Sequence, residues 1–528
     1  MVTPKIRLHS PIYQAKSEPS TFRPQQISDL KGKSVVILDN AWWIWEQTLP
    51  KLTEALSKRY GVLKTPIYKV PRAGSPPPGM LEKAAKEGDC AILALAFGGP
   101  ELVATLDNAI ALAKAGLPAV CIVVEHNSYL WERLLRSRKV NLPFVTIPIE
   151  PEGLPVEKAI EMMYAVIDDV VNGFKNPPKP QTEEPVVEPF IEVPDSLDEM
   201  YDVMYRLDWT DGLPVIPPTE ERVRKMLTHV HGDAEEVVGE MPPLRGVATV
   251  GNIAANAVMA GCSPEHMPIL IAQVRACGEI DISMTNTLTG GAPVTPMTII
   301  NGPVRSELDI NCSTGLMGPG RRSNAALGRA LQFMLRNIGG ATLRIQEPDY
   351  MGQPGRYTFC FGENEEESPW EPLHVERGFS RQTSTVTVTS ISSIIQNATY
   401  TYDWKTILTV LADSMAYFGC HTVIQGTGIV WVFITPDHAN RFASQGLSKK
   451  DVKEYIWEKA RIPVSQFPEK LVPYPHKLLE TNGQVRVVSS PDDVKVVVAG
   501  GLGRYYAMVM TGVPAPAGMD VLATVAIA

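Results

Sequence analysis

No stretch of this chain approaches the ~18–20 consecutive apolar residues that a membrane-crossing helix requires. The opening MVTPKIRLHSPIYQAK has no apolar h-region, so no export signal is expected and the reading is a cytoplasmic protein. A Lys/Arg-rich block is also missing. With a formal net charge of −9, the chain lacks the electrostatic footprint of a nucleic-acid partner. The seven cysteines (Cys90, Cys121, Cys262, Cys277, Cys312, Cys360, Cys420) are odd in number and contain no C-x-x-C pair. That argues for reduced thiols rather than a disulfide framework or a zinc finger. Short internal repeats and low-complexity arrays are absent.

What is present is globular. At 528 residues, 44% hydrophobic and 20% charged, the chain predicts two to four domains. After an irregular arm over residues 1–32, KSVVILDN, TPIYKV, CAILALAF, PAVCIVVE and FVTIPIE read as five short buried strands. Helical patterns near 43–60, 79–87, 100–115, 128–138 and 155–174 alternate with them, and Gly61 suits a C-cap. Such alternation predicts a flavodoxin-like parallel sheet over 33–175. Residues 176–195 carry six prolines and five acidic groups, which reads as a semi-extended linker. Residues 196–528 then form a larger mixed α/β domain. Its expected helices include one capped by Ser196, one by Thr219, others near 250–261, 264–277 and 323–338, and one opened by a Ser448/Asp451 capping box. MTIINGP, RYTFCFGE, STVTVTS, GIVWVFIT, DVKVVVAG and RYYAMVMT read as its strands.

Chemistry concentrates in this second domain. In GPGRRSNAALGRA, Gly318 and Gly320 let a backbone approach a ligand closely. The helix that follows would aim free N–H groups of Ser323 and Asn324 at an anion, with Arg321 and Arg322 adding bidentate contacts. Arginines paired with Asp or Glu explain the same loop. Neither a P-loop nor a dinucleotide fingerprint is present. In GQPGRYTFCFGENEEESPWEPLHVERG, Phe359 and Phe361 share one strand face and Cys360 lies on the other. Glu363, Glu365 and His374 follow, acids and a base that work only where burial or a partner tunes them. Gly500, Gly501 and Gly503 form either an anion nest or a tight hairpin with a bulge. Asp211 sits in the Pro-rich DWTDGLPVIPPT, where it either reaches a site wall or ties two helices together. No metal ligand set stands out. Cys262 and His266 are four apart, but Ser263-Pro264 starts a helix between them; Cys420-His421 and His229/His231 are equally weak pairs.

The segments DGLPVIPPTEERV, NAVMAGCSPEHMPI, IINGP, GPGRRSNAALGRAL, LSKKDVKEYIWEKARIP and VVVAGGLG, with the acidic segment above, resemble the UGSC family of cysteine- or selenocysteine-containing proteins. They sample residues 208–503. In the N-terminal domain the similarity is one of strand layout. The resemblance implies a reactive U/C-G-S-C motif just after the third strand. This chain has Phe97-Gly98-Gly99-Pro100-Glu101 there, and Cys90 lies at the wrong end of the strand. Glycine cannot replace a thiolate. Either the redox step is lost, or a redox-active subunit in a hetero-oligomer supplies it. Trp42, Trp43 and Trp45 would then pack against a partner or over a flat substrate; plain core packing accounts for one or two of them, and a homo-oligomer interface or the second domain would hide an exposed set.

The candidate anion site points to an enzyme or enzyme subunit acting on a small organic acid, and the resemblance implies reduction or carbon–heteroatom bond cleavage as its reaction class. Cys262 or Cys360 would be the thiol candidates, and no cofactor is named by the residues. An acid/base lyase or hydratase is the alternative. A non-catalytic scaffold or regulatory subunit, suggested by the empty turn, is a third.

Overall fold

The computed structural model describes residues 4–12, 25–71, 74–148, 154–178, 187–230, 232–343, 345, 350–420, 422–423, 427–467, 479–503, 505–513 and 519–528. In the N-terminal part, β1 (Lys5–His9) precedes β2 (Val35–Asp39), β3 (Ile67–Lys69), β4 (Cys90–Ala96), β5 (Ala119–Val124) and β6 (Phe144–Ile147). The last five form one parallel sheet in the order β3-β2-β4-β5-β6. Every residue of β2, β4 and β5 is buried, as a parallel sheet covered on both faces demands. Alternate side chains serve opposite cores. Val35, Ile37, Cys90, Ile92 and Ala94 face one layer, and Val36, Leu38, Ala91, Leu93 and Ala96 the other. The helix Trp43–Tyr60 ends on Gly61 in the left-handed region, with φ of 65°. The long helix expected over 155–174 is two, Val156–Ala165 and Ile167–Lys175.

The arm is not irregular throughout, and the linker does not end where its composition does. β1 pairs antiparallel with β7 (Phe190–Pro194), and the His9 amide donates to Pro218 O (2.8 Å). Leu8 and Val193 are buried in the core of the second domain. Two polar-looking segments thus form a ribbon that belongs with that domain. Residues 179–186 of the linker lie outside the described residues.

In the second domain, β8 (Val237–Met241) and β9 (Gly246–Thr249) form a hairpin. β10 (Thr295–Asn301), β11 (Cys360–Gly362), β12 (Thr385–Ala398) and β13 (Val430–Ile434) belong to a larger mixed sheet. A small sheet of β14 (Arg461–Pro463), β15 (Glu480–Thr481) and β16 (Gln484–Arg486) sits apart. β17 (Val494–Val498), β18 (Tyr506–Gly512) and β19 (Leu522–Ala526) complete the large sheet, ordered β11-β10-β12-β18-β13-β17 with β19 beside the first half of β12. The sheet curls until its edges meet: the Asn364 amide, just past β11, donates to Val498 O at the end of β17 (2.8 Å). Inside the curl lie Met297, Ile299, Phe361, Trp431, Phe433 and Met510. The helices Val250–Ala260, Met267–Glu279 and Arg322–Phe333 cover one outer face, and Trp404–Met415, Pro436–Ser444 and Lys449–Lys459 another.

β17 and β18 are not hairpin partners, because β13 lies between them. The tight-hairpin reading of AGGLGRYYA therefore does not hold. RYTFCFGE shrinks to β11, yet its alternation is as read: Phe359 and Phe361 join the interior of the curl and Cys360 the opposite core. No described helix is long and apolar enough to cross a membrane.

Candidate active site at the strand ends

β10 and β11 are parallel neighbours, so Asn301-Gly302 and Gly362-Glu363 emerge side by side at their carboxyl ends. Ligand sites of open α/β sheets gather at such ends. Gly302 has φ of 84°, and a Cβ there would stand 2.5 Å from Thr383 O. Only glycine fits this crowded left-handed position. The turn places Asn301, which is fully buried, so that its Nδ2 donates to Glu363 Oε2 (2.7 Å) and Glu365 Oε1 (3.1 Å). The amides of Gly302 and Leu373 donate to Glu365 Oε1 and Glu363 Oε2, each at 2.7 Å. Arg305, nearly buried, forms an ion pair through Nε with Glu365 Oε1 (3.0 Å) and grips Glu366 with both Nη atoms (2.9 and 3.0 Å).

Four buried polar atoms of this cluster have no hydrogen-bond partner: Glu363 Oε1, Asn301 Oδ1 and both ring nitrogens of His374. Lys449 Nζ is 4.0 Å from Glu363 Oε1 and bonds instead to Glu376 Oε2 (2.8 Å). His374 Nδ1 lies 4.0 Å from Glu365 Oε1. Burial raises the Glu363 carboxyl above the ordinary range, against the pull of Lys449, the Leu373 amide and Asn301. Burial also lowers His374, which keeps the ring neutral at pH 7. With Oε2 held by two donors, Oε1 is the atom of Glu363 free to carry and pass a proton.

The structure thus brings Glu363, Glu365 and His374 together. Gly500 borders them: its amide donates to Cys312 O (2.9 Å), and Asn364 Nδ2 donates to its carbonyl (3.2 Å). Gly501 packs so tightly on Thr314 that a Cβ would collide with its hydroxyl, and Thr435 Oγ1 donates to Gly503 O (2.7 Å). These glycines serve close packing around the site, and the Gly500 amide is already taken. Cys360 points away into the opposite core, near Cys262. Both thiols are buried, which pushes Cys262 up to about 12 and Cys360 upward as well.

The anion cradle is not assembled. Arg321, 53% exposed at its side chain, donates through Nη1 to both carboxylate oxygens of Asp309 (2.7 and 2.9 Å). Arg322 Nε donates to Gly261 O (2.9 Å), and Gly318 and Gly320 are exposed. Asn324 clasps both backbone groups of Asn311 (2.8 and 3.1 Å), whose carbonyl also accepts from the Gly362 amide (3.0 Å). A packed segment, not a cleft, therefore separates this helix start from the acidic strand end. Ser323 Oγ donates to Leu308 O (2.6 Å) and meets His266 Nε2 (3.1 Å). That pair is no catalytic dyad. His266 Nδ1 accepts the Ser263 amide (3.1 Å), so the neutral ring carries its proton on Nε2 and donates toward the serine. Asp211 accepts both donors of a fork from Arg329 (both 2.8 Å), a tie between its loop and the helix Arg322–Phe333. Asn301, Arg305, Lys449 and the part-exposed Cys312 were missed by sequence reasoning. Only the glycine after IIN hinted at a crowded turn. Among the described residues no group of three or more His, Cys, Asp or Glu is placed to hold a metal ion; His231 and His421 lie outside them.

At the tip of the parallel sheet, Asn40 forms a two-way bond with the backbone of Leu95 (2.9 and 3.0 Å). Trp42 and Trp45 are core residues of their own domain, Trp42 against Phe97 with ring centroids 4.8 Å apart. This is the plain core packing expected for one or two of the three; the Trp43 side chain lies outside the described residues. The Gly98-Gly99 turn opens the helix Gly99–Lys114, and the helix Asp281–Thr289 of the second domain ends on it. A Cβ on Gly99 would overlap the hydroxyl and carbonyl of Thr289. One helix's carbonyl end thus covers the electropositive start of another, the place where an anion or a reactive side chain would otherwise sit. Beside it, Arg245 of the second domain pairs with Asp281 (2.7 Å), and Asp107 stands 3.7 Å from Arg245 and 3.6 Å from Arg138. Gly99→Ala is expected to lever this interface apart, costing about 1–3 kcal/mol. Faster limited proteolysis between the domains, with both remaining folded, would be the sign; unchanged cleavage would show the contact to be slack.

The architecture is therefore a doubly wound, flavodoxin-like α/β domain docked through a glycine turn onto a curled mixed-sheet domain. Residues 7–175 match the model of the UGSC family. The match falls on the N-terminal domain, whereas the segments that carried most of the sequence resemblance lie at 208–503, outside it. No curated protein matches the chain.

Proposed function

We propose that the chain is an enzyme, or the catalytic subunit of one, that moves protons on a small organic acid at the Asn301–Glu363–Glu365–His374 cluster, as a lyase or hydratase does. The observation that carries this reading is the set of four unpartnered buried atoms, above all Glu363 Oε1. In it, Glu363 is the acid, neutral His374 the base, and Asn301 Oδ1 an acceptor for a substrate hydroxyl. Arg305 binds the substrate carboxylate in the place now taken by Glu366, whose side chain is 64% exposed. An ion pair with so wet a partner is weak and readily exchanged. The alternative, reduction or carbon–heteroatom cleavage through Cys262 or Cys360, fits less well because both thiols are buried and held protonated. In that case the thiol comes from a redox-active subunit. The seven free cysteines favour the cytoplasm.

Glu363→Gln keeps the shape and removes the transferable proton. Assayed on a panel of C3–C5 hydroxy acids and their unsaturated counterparts, kcat is expected to fall by roughly 10²–10⁴ with the fold intact. Full turnover by E363Q, or loss of turnover on Cys312→Ser instead, would reject the acid/base reading.

A further inference from the structure

β12 is unusually long, and its two halves are used differently. Thr385–Ile391 lies beside β10 on one side, with β19 along Thr385–Thr389 and β18 from Ile391 on the other. β10 ends opposite Ile391, so from Ser392 to Ala398 only β18 remains as a neighbour. Among the described residues no strand pairs with the other edge of this run and no further backbone–backbone hydrogen bond reaches it, although Asn397 Nδ2 donates to Ile395 O (3.2 Å) from within the run. Sheet edges of this kind are normally blunted by lysine, proline or another charge. Here the whole stretch from Gln382 to Tyr402, 21 residues, contains no charged side chain and no proline. The bulge at Ile391/Ser393 lies at its start and leaves the rest straight enough to pair. Ile394 is 46% exposed, Tyr506 opposite Ala398 is 44% exposed, and Tyr400 just beyond is 75% exposed. The open edge is therefore bordered by apolar and aromatic side chains, the composition of interface centres.

We propose that two copies of this chain pair antiparallel along Ser392–Ala398, joining their curled sheets about a two-fold axis. The occupant follows from chemistry. Free main-chain donors and acceptors are satisfied by another strand, and a two-fold axis through Ile395 sets each copy's run antiparallel to its own equivalent. The pairing length is set by the fold, because β10 of each copy blocks the edge at Ile391. Charge agrees: copies carrying −9 each repel overall, and an edge without charged side chains adds no like-charge pair at the contact. The sequence expectation of a homo-oligomer placed the contact at the tryptophans. The open edge of β12 takes their place.

The test uses the full chain and a variant with Ile394→Lys and Gln396→Lys, both exposed positions whose change leaves the packed core alone. The wild type is expected to sediment as a dimer at about 50 μM, and the variant to dissociate at least roughly 30-fold more readily. The circular dichroism spectrum should be shared by both, showing that the variant is folded. Amide hydrogen exchange over 392–398 should be slow in the wild-type dimer and fast in the variant. A monomeric wild type overturns the proposal, and so does a variant that stays dimeric with unchanged exchange over that run.

Discussion

Arg305→Met is expected to lower the unfolding free energy of the second domain by about 3–5 kcal/mol, the usual consequence of leaving one partner of a buried ion pair behind. Arg305 is 6% exposed and Glu365 is 7% exposed, so water cannot take over the missing contacts. The guanidinium does more than neutralise Glu365. It donates to Gly302 O (3.1 Å) and Glu363 O (2.7 Å), joining the end of β10 to the end of β11. Methionine fills much of the same volume but offers none of these donors. A second substitution identifies the cause: Glu365→Gln in the Arg305→Met background removes the stranded charge, and roughly half or more of the loss should return. Urea titration of the wild type, R305M, E365Q and the double variant measures the coupling. If the double variant is no more stable than R305M, the charge of Glu365 is not what Arg305 compensates.

The parts of this fold that could be read from sequence are those set by neighbours along the chain. β2, β4 and β5 announce themselves because a buried parallel strand must be apolar at every position. The Ser448/Asp451 capping box and the Thr219 cap are local hydrogen bonds between residues three apart, and both are present. The alternation of Phe359, Cys360 and Phe361 survived even though the strand around it shortened. The helix Asp281–Thr289 escaped notice because it is wedged between domains. Ser283, Thr285, Thr287 and Thr289 are buried with Met284 and Leu288, so no apolar stripe marks it. Site residues behaved the same way. Glu363, Glu365 and His374 were visible as a cluster within one segment. Their partners Asn301, Arg305 and Lys449 come from about 60 residues before and 86 after, and no spacing rule reaches that far. Arg321 and Arg322 were misleading for a related reason. A glycine-led helix start looks like an anion site until Asp309 and the Gly261 carbonyl are found holding the arginines.

His266 provides a second large effect, seen only in acid. Its ring is buried and bound as the neutral tautomer between the Ser263 amide and Ser323, and burial first, then Arg322, lowers its pKa from 6.5 to about 4. Protonation would place a hydrogen on Nδ1, directly against the Ser263 N–H. A group depressed on folding contributes stability in full above the unfolded value near 6.5 and loses it as pH falls through the folded value near 4. The interval corresponds to about 3 kcal/mol. His266→Gln keeps a donor for Ser323 but cannot titrate. The wild type is therefore expected to lose about 3 kcal/mol more than H266Q between pH 7 and pH 4. Carboxylates elsewhere, such as Glu366 and Glu376, weaken both proteins alike over this range and cancel in the comparison. Urea unfolding at several pH values gives the two curves. Parallel curves would mean that the ring already accommodates a proton in the folded chain, and that the Ser263–His266–Ser323 link is not the rigid tether its geometry describes.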